Sequence, residues 1–191
     1  MPLALRSPVW VILATLRRRS PQTTKGFSLL ETVVAMVIIM ILGGIAAPGF
    51  LRFQDQRRVN QAQYLVYQAL RSTQREAMEK RQQQQFSLRD RQGQLEWAHH
   101  PTSVGPSQVK LWQPLTPGVS LAKEDNTLTL KEGVYYVHFD FRGDVKTRLG
   151  TITLVGSGGR LSHRCVIVST LIGALRQGEG HNKANGDRYC Y

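Results

Sequence analysis

From Phe27 to Leu51 the chain runs for 25 residues with only Ser28, Glu31 and Thr32 interrupting its apolar and small side chains. The fifteen residues from Val33 to Ala47 carry no charge at all. At the helical rise of 1.5 Å per residue, a segment this long crosses a hydrocarbon layer of ~30 Å, so it reads as a membrane span. Glu31 stands at its mouth. A carboxylate costs roughly 2.5–3.5 kcal/mol at the centre of an inserted helix, so this one needs a shallow position or a partner. Ser28-Leu29-Leu30-Glu31 also fits a capping box, and an acid in the first turn suits the helix dipole. Gly43, Gly44, Pro48 and Gly49 are poor helix residues and make the span weakest near its outer end.

The pattern then changes without a break. Val59, Ala62, Leu65, Val66, Ala69, Leu70, Thr73, Ala77 and Met78 recur at steps of three and four, and Arg57, Arg58, Gln61, Gln63, Arg71, Gln74 and Arg75 fill the other face. That spacing predicts an amphipathic helix continuing the span to about Arg81, roughly 80 Å in all at helical rise. The polar run Gln82 to Gln85 is expected to end it.

Beyond Phe86 the signals are those of strands and turns. Gln94–Trp97, Val109–Trp112, Val119–Leu121, Thr127–Leu130, Val134–Phe141, Thr151–Val155 and Cys165–Ser169 are short β-branched or aromatic runs. Turn pairs such as Pro117-Gly118, Glu132-Gly133 and Gly143-Asp144 separate them. The expected architecture is α+β, a long N-terminal helix whose second half packs on an antiparallel sheet. The tail Gln177 to Arg188, rich in Gly, Asn and charge, reads as a mobile loop.

The net charge is +12, and five of the cations (Arg6, Arg17, Arg18, Arg19 and Lys25) precede Phe27 with no acid among them. The remainder keeps 20 basic against 13 acidic residues, a net +7 that favours anionic partners such as nucleic acid or lipid headgroups without selecting one. Basic residues ahead of an apolar span stay in the cytoplasm, so the part beyond residue 50 is expected outside it. Cys165 and Cys190 both lie on that part. In an oxidising compartment they are expected to pair, and closing the loop would stabilise by roughly 3–4 kcal/mol; two free thiols are the alternative.

Lys25-Gly26-Phe27-Ser28-Leu29-Leu30-Glu31, the apolar run and Pro48 together resemble the prepilin signature of the type IV pilin and type II secretion pseudopilin superfamily. The resemblance implies that prepilin peptidase cuts between Gly26 and Phe27, that Phe27 becomes an N-methylated terminus, and that Glu31 stays charged. Glu31 would then pair with a terminal amine, its own or an adjacent subunit's, as subunits pack into a filament. It also implies local unwinding around Gly43–Gly49 on packing; helix Gly and Pro satisfied by neighbours are the plainer alternative. An ordinary secretory signal cut after Ala47 is the main rival for residues 1–47, but Pro48 is a poor residue after such a cut and Glu31 would sit inside the signal. Further on, Phe139-Asp140-Phe141-Arg142-Gly143, Gly150–Leu154, Arg164–Ser169 and Gly173-Ala174-Leu175-Arg176 resemble the GspH/FimT group of minor pilins and pseudopilins.

Arg160, Arg164, Arg176, Lys183 and Arg188 form a basic cluster near the end of the chain. Some GspH/FimT members act in DNA uptake through a Gly-Arg-x-Arg motif, and the matching positions here are Gly173 to Arg176. Only Arg176 carries over, so DNA contact competes with a solvated basic surface. Catalysis finds no support. His99-His100 lacks a cysteine or a clear carboxylate partner for a metal, and Gly156-Ser157-Gly158-Gly159 reads as a turn with no helix after it. No cofactor or metal is expected. The expected layout is a leader over 1–26, a membrane and assembly helix over 27–51, its amphipathic continuation over 52–81, and a β-rich domain outside the cytoplasm over 82–191. The expected partners are prepilin peptidase, other pilins or pseudopilins, the inner membrane before assembly, and DNA under the alternative reading.

Overall fold

The computed structural model of the chain describes residues 26–157, 162–186 and 188–191. One helix, α1, spans Leu29–Glu79 and runs through Pro48. Two compact units divide the chain, the first ending at Leu42 and the second formed by Gly43–Tyr191. Every described residue of the first unit is exposed.

In the second unit the strands are β1 (Gln84–Arg91), β2 (Gln94–Pro101), β3 (Gln113–Pro114), β4 (Ser120–Leu121), β5 (Thr129–Lys131), β6 (Val134–Phe139), β7 (Gly150–Val155), β8 (Arg164–Val168), β9 (Leu175–Asn185) and β10 (Arg188–Cys190). They form two five-stranded sheets, ordered β3-β2-β1-β6-β5 and β10-β9-β8-β7-β4, and every pairing is antiparallel. Val59, Ala62, Val66, Ala69, Leu70 and Ala77 bury one stripe of α1 in a single core. Phe86, Leu88 and Phe139 of the first sheet join it, as do Ile152, Leu154 and Val166 of the second. The alanines lack bulk where the helix meets the strands, which permits close packing. The α+β architecture expected from the periodicity is the one found, with two sheets where one was expected.

Several local expectations need correction. β1 fills the centre of the first sheet, although its start lies in the glutamine run assigned to the end of the helix. A tight Gln92-Gly93 turn with φ of 55° and 82° reverses the chain into β2, and Asp90 Oδ1 accepts the Gly93 N–H at 2.8 Å. Two residues of positive φ make the turn whose twist suits a two-residue hairpin. β3 lies at Gln113–Pro114, beyond the run expected over Val109–Trp112. Met78, placed on the apolar stripe, is exposed, whereas Gln63 and Gln74, placed on the polar face, are buried.

The tail is the largest correction. Residues 175–185 form an eleven-residue strand paired on both sides, not a loop. A disulfide joins Cys165 of β8 to Cys190 of β10 across β9, and Glu179 and Tyr191 exchange backbone hydrogen bonds at 3.2 Å. A Cβ on Gly178 would lie 2.9 Å from Cys165 Sγ and from the Tyr191 backbone. This glycine therefore marks close approach between strands rather than a flexible stretch.

Candidate functional site

The residues expected to serve processing and assembly lie at and just before the start of α1. Gly26, Phe27 and Ser28 precede the first helical turn and are exposed. Among the described residues, a Cβ on Gly26 would meet nothing within 4 Å. Ser28 Oγ accepts the Glu31 backbone N–H at 3.2 Å, one half of the capping box. The Glu31 carboxylate is exposed and makes no ion pair with the described residues. Among the described residues, no side chain buries the apolar surface that follows. Its most hydrophobic window has a mean hydropathy of 2.5 and is wholly unburied, making α1 long and apolar enough to cross a membrane.

Four polar groups of α1 connect it to turns and strands of the second unit. Asp55 Oδ1 accepts from the Ser157 N–H at 3.1 Å and from its hydroxyl at 3.0 Å. Asn60 Oδ1 accepts from Arg164 Nε at 2.7 Å. Gln63 Nε2 donates to the carbonyls of Cys165 and Gly178 at 2.8 and 2.9 Å. Gln74 Nε2 donates to those of Gly143 and Gly173 at 2.9 and 3.2 Å. The segments that carry the GspH/FimT resemblance therefore meet the helix at defined points. The glutamine bonds are buried, so breaking them leaves carbonyls of buried residues unsatisfied, which is costly. Sequence reasoning missed these contacts, since glutamine on a helix ordinarily faces solvent.

Of the five basic candidates, the structure describes the side chains of Arg164, Arg176 and Lys183. Arg164 is 7% exposed, and its guanidinium is engaged by Asn60 and the His163 carbonyl. It is a helix-to-sheet tie and is removed from the candidate DNA face. Arg176 and Lys183 are exposed on β9. Arg160 and the side chain of Arg188 lie outside the described residues.

His99 and His100 point to opposite faces of β2, as alternation along a strand requires. His99 Nε2 lies 3.2 Å from Glu76 Oε2 of α1, which supplies the carboxylate partner that the sequence did not show. His100 belongs to a polar chain on the other face. Its Nδ1–H donates to the Pro101 carbonyl at 3.0 Å, and Nε2 accepts from the Ser87 hydroxyl at 3.0 Å. Ser87 Oγ accepts from Gln85 Nε2 at 2.7 Å, and Gln85 Oε1 accepts from His138 Nε2 at 2.7 Å. Burial, with His100 nearby, pushes the His138 pKa below its ordinary value. Gln85, Tyr136 and His138 floor a cleft of about 300 Å³ under the Gly105–Ser107 turn. Among the described residues no three His, Cys, Asp or Glu side chains gather as a metal site.

These features define a subunit with an exposed apolar N-terminal helix and a disulfide-closed helix-on-sheet domain. The prokaryotic N-terminal methylation motif matches residues 22–47. That motif stands at the head of a long helix packed on antiparallel sheets. Two crystal structures of the Pseudomonas aeruginosa (strain PAO1) type IV minor pilin FimU, in space groups P21 and P65, are similar to it. Each is 12% identical with a TM-score of 0.44; the matches cover 65% and 62% of this chain and 90% of FimU. No curated protein matches the chain in sequence.

Proposed function

We propose that the chain is a structural, non-enzymatic minor pilin or pseudopilin of a type IV pilus or a type II secretion filament. Prepilin peptidase cuts between Gly26 and Phe27 and methylates the new amine. The subunit waits in the inner membrane with residues beyond the span outside the cytoplasm, then packs its Phe27–Leu51 helix among those of other pilins. The observation that carries this reading is the coincidence of the methylation motif with a helix whose apolar surface is exposed among the described residues. Such a surface is stable only in lipid or against other helices. Glu31 pairs with a methylated amine in the filament, which lowers the cost of holding a carboxylate among apolar helices.

The test is co-purification with filament subunits from cells carrying the peptidase. Glu31→Ala is expected to leave cleavage intact and to lower incorporation into filaments. Wild-type incorporation by that variant would remove the pairing role.

A second role, DNA contact during uptake, retains Arg176 and Lys183, which are both exposed on β9. Phosphate contacts release counterions, so this role predicts binding that falls steeply between about 50 and 200 mM salt. Gel shifts with the wild type, Arg176→Ala and Lys183→Ala test it. Absence of binding at the lower salt would end it.

A further inference from the structure

We propose that Arg52, Arg57 and Arg58 form a cationic belt that binds the phosphate groups of anionic phospholipid at the outer rim of the span. The proposal rests on the membrane-anchored reading above and adds a ligand class to it. The exposed apolar surface of α1 ends with Phe50, Leu51 and Phe53. Arg52 lies within that end, and Arg57 and Arg58 follow within two turns, all three exposed.

By sequence, Asp55 offsets one of these charges. In the fold it does not face the same medium. Asp55 is 8% exposed and bonded to Ser157, and a Cβ on Gly156 would lie only 2.5 Å from its Oδ2. The absence of a side chain at Gly156 lets the carboxylate sit inside the domain. Arg52, Arg57 and Arg58 are thus exposed on a stretch whose one acid, Asp55, is buried.

Their geometry suits an interface. The Arg57 guanidinium lies 4.5 Å over the Phe53 ring, so an aromatic side chain suited to the headgroup boundary carries a cation on its face. Arg58 reaches the Pro117-Gly118 turn, where Nη1 would be 3.7 Å from a Cβ on Gly118. Arginine stems lie along apolar surface while the head stays in the polar layer. At 100° per residue the three arginines point in well-separated directions around the helix, which makes a belt rather than a single face.

The full chain in detergent micelles, titrated with phosphatidylglycerol or phosphatidylcholine and read by native mass spectrometry, tests the belt. Each arginine is expected to favour the anionic lipid about fivefold, and the three together roughly a hundredfold. Arg52→Gln/Arg57→Gln/Arg58→Gln should abolish that preference. Asp55→Asn should leave it unchanged, because the carboxylate already faces inward. Equal retention of the two lipids by the wild type, or full preference in the triple variant, would overturn the proposal. A several-fold rise in Asp55→Asn would overturn it too, by placing that acid at the lipid. Glycerol phosphate, which lacks acyl chains, separates the sources: displacement of the lipid at equal concentration points to a general phosphate site and contradicts a belt at the membrane rim. Flotation of the same chain with vesicles of either composition is the control for the anchor. Failure to float with both overturns the anchor and the belt with it, whereas flotation with equal lipid retention overturns the belt alone.

Discussion

Gln74 Nε2 donates to the carbonyl of Gly173 at 3.2 Å, and the same nitrogen serves Gly143 at 2.9 Å. One helix amide therefore holds two turns, and Val145 N–H donates to the Leu171 carbonyl at 2.6 Å beside them. Gly173 has φ of 76°, and a Cβ there would run into Gln74 Nε2 and the Gly143 carbonyl. The glycine that opens the GspH/FimT-like Gly173–Arg176 segment is thus explained by packing.

Gly173→Ala should destabilise the domain by about 2–4 kcal/mol, from the left-handed backbone and the overlap together. Gln74→Leu should cost a similar ~2–4 kcal/mol, because it strands two buried carbonyls. Urea unfolding of the full chain in detergent measures both. A double variant much less destabilised than the sum is expected, since the two residues share one contact.

Arg164→Ala is expected to behave as a core variant. Losing the bond to Asn60 should cost about 2–4 kcal/mol, whereas Arg176→Ala and Lys183→Ala should stay within about 0.5 kcal/mol of wild type. Thermal or urea denaturation separates these outcomes. If DNA binding is seen, its loss in Arg164→Ala is expected only in step with unfolding.

His138 makes stability depend on mild acid. Its folded pKa lies below the ordinary 6.5, mainly through burial and then through His100. The unfolded chain therefore binds the proton more readily, and stability falls as pH drops from about 6.5 through the folded value. His138→Gln should flatten that slope in urea titrations between about pH 7 and pH 5. Asp140 acts lower. Burial alone would raise its carboxyl, but the backbone N–H groups of Arg142 and Asp144, with Lys146 at 3.1 Å, hold it below its usual value. Its contribution is present above about pH 4 and is lost as pH falls through the folded pKa.

Reduction of Cys165–Cys190 should lower stability by roughly 3–4 kcal/mol, the chain-entropy value for a separation of 25 residues. It should also loosen β10 and the end of β9, because the bridge spans that edge. Hydrogen exchange with and without reductant checks this, with faster exchange expected at Glu179 and Tyr191.

The long helix and its inward stripe were legible because apolar spacing reports directly on which helix face is buried, from Val59 to Ala77. The turns at Glu132-Gly133 and Pro117-Gly118 were legible for the same kind of reason: glycine there meets a positive φ. β1 was not, because Gln84 and Gln85 carry no strand preference and are placed by their neighbours β2 and β6. β9 was hidden by glycines that serve close packing and therefore read as flexibility. Arg164 illustrates the limit for sites. Sequence supplies its charge, but only the fold shows that the charge turns toward Asn60. Asp55 is the converse case, an acid whose charge is withdrawn from the surface by a bond to Ser157, more than a hundred positions away.

Mass spectrometry of the mature N-terminus, from cells that carry prepilin peptidase, tests directly where the chain is made mature. A chain beginning at Phe27 with a methyl group on its amine is expected. A chain beginning at Pro48, or one retaining residues 1–26 in assembled filaments, would contradict it.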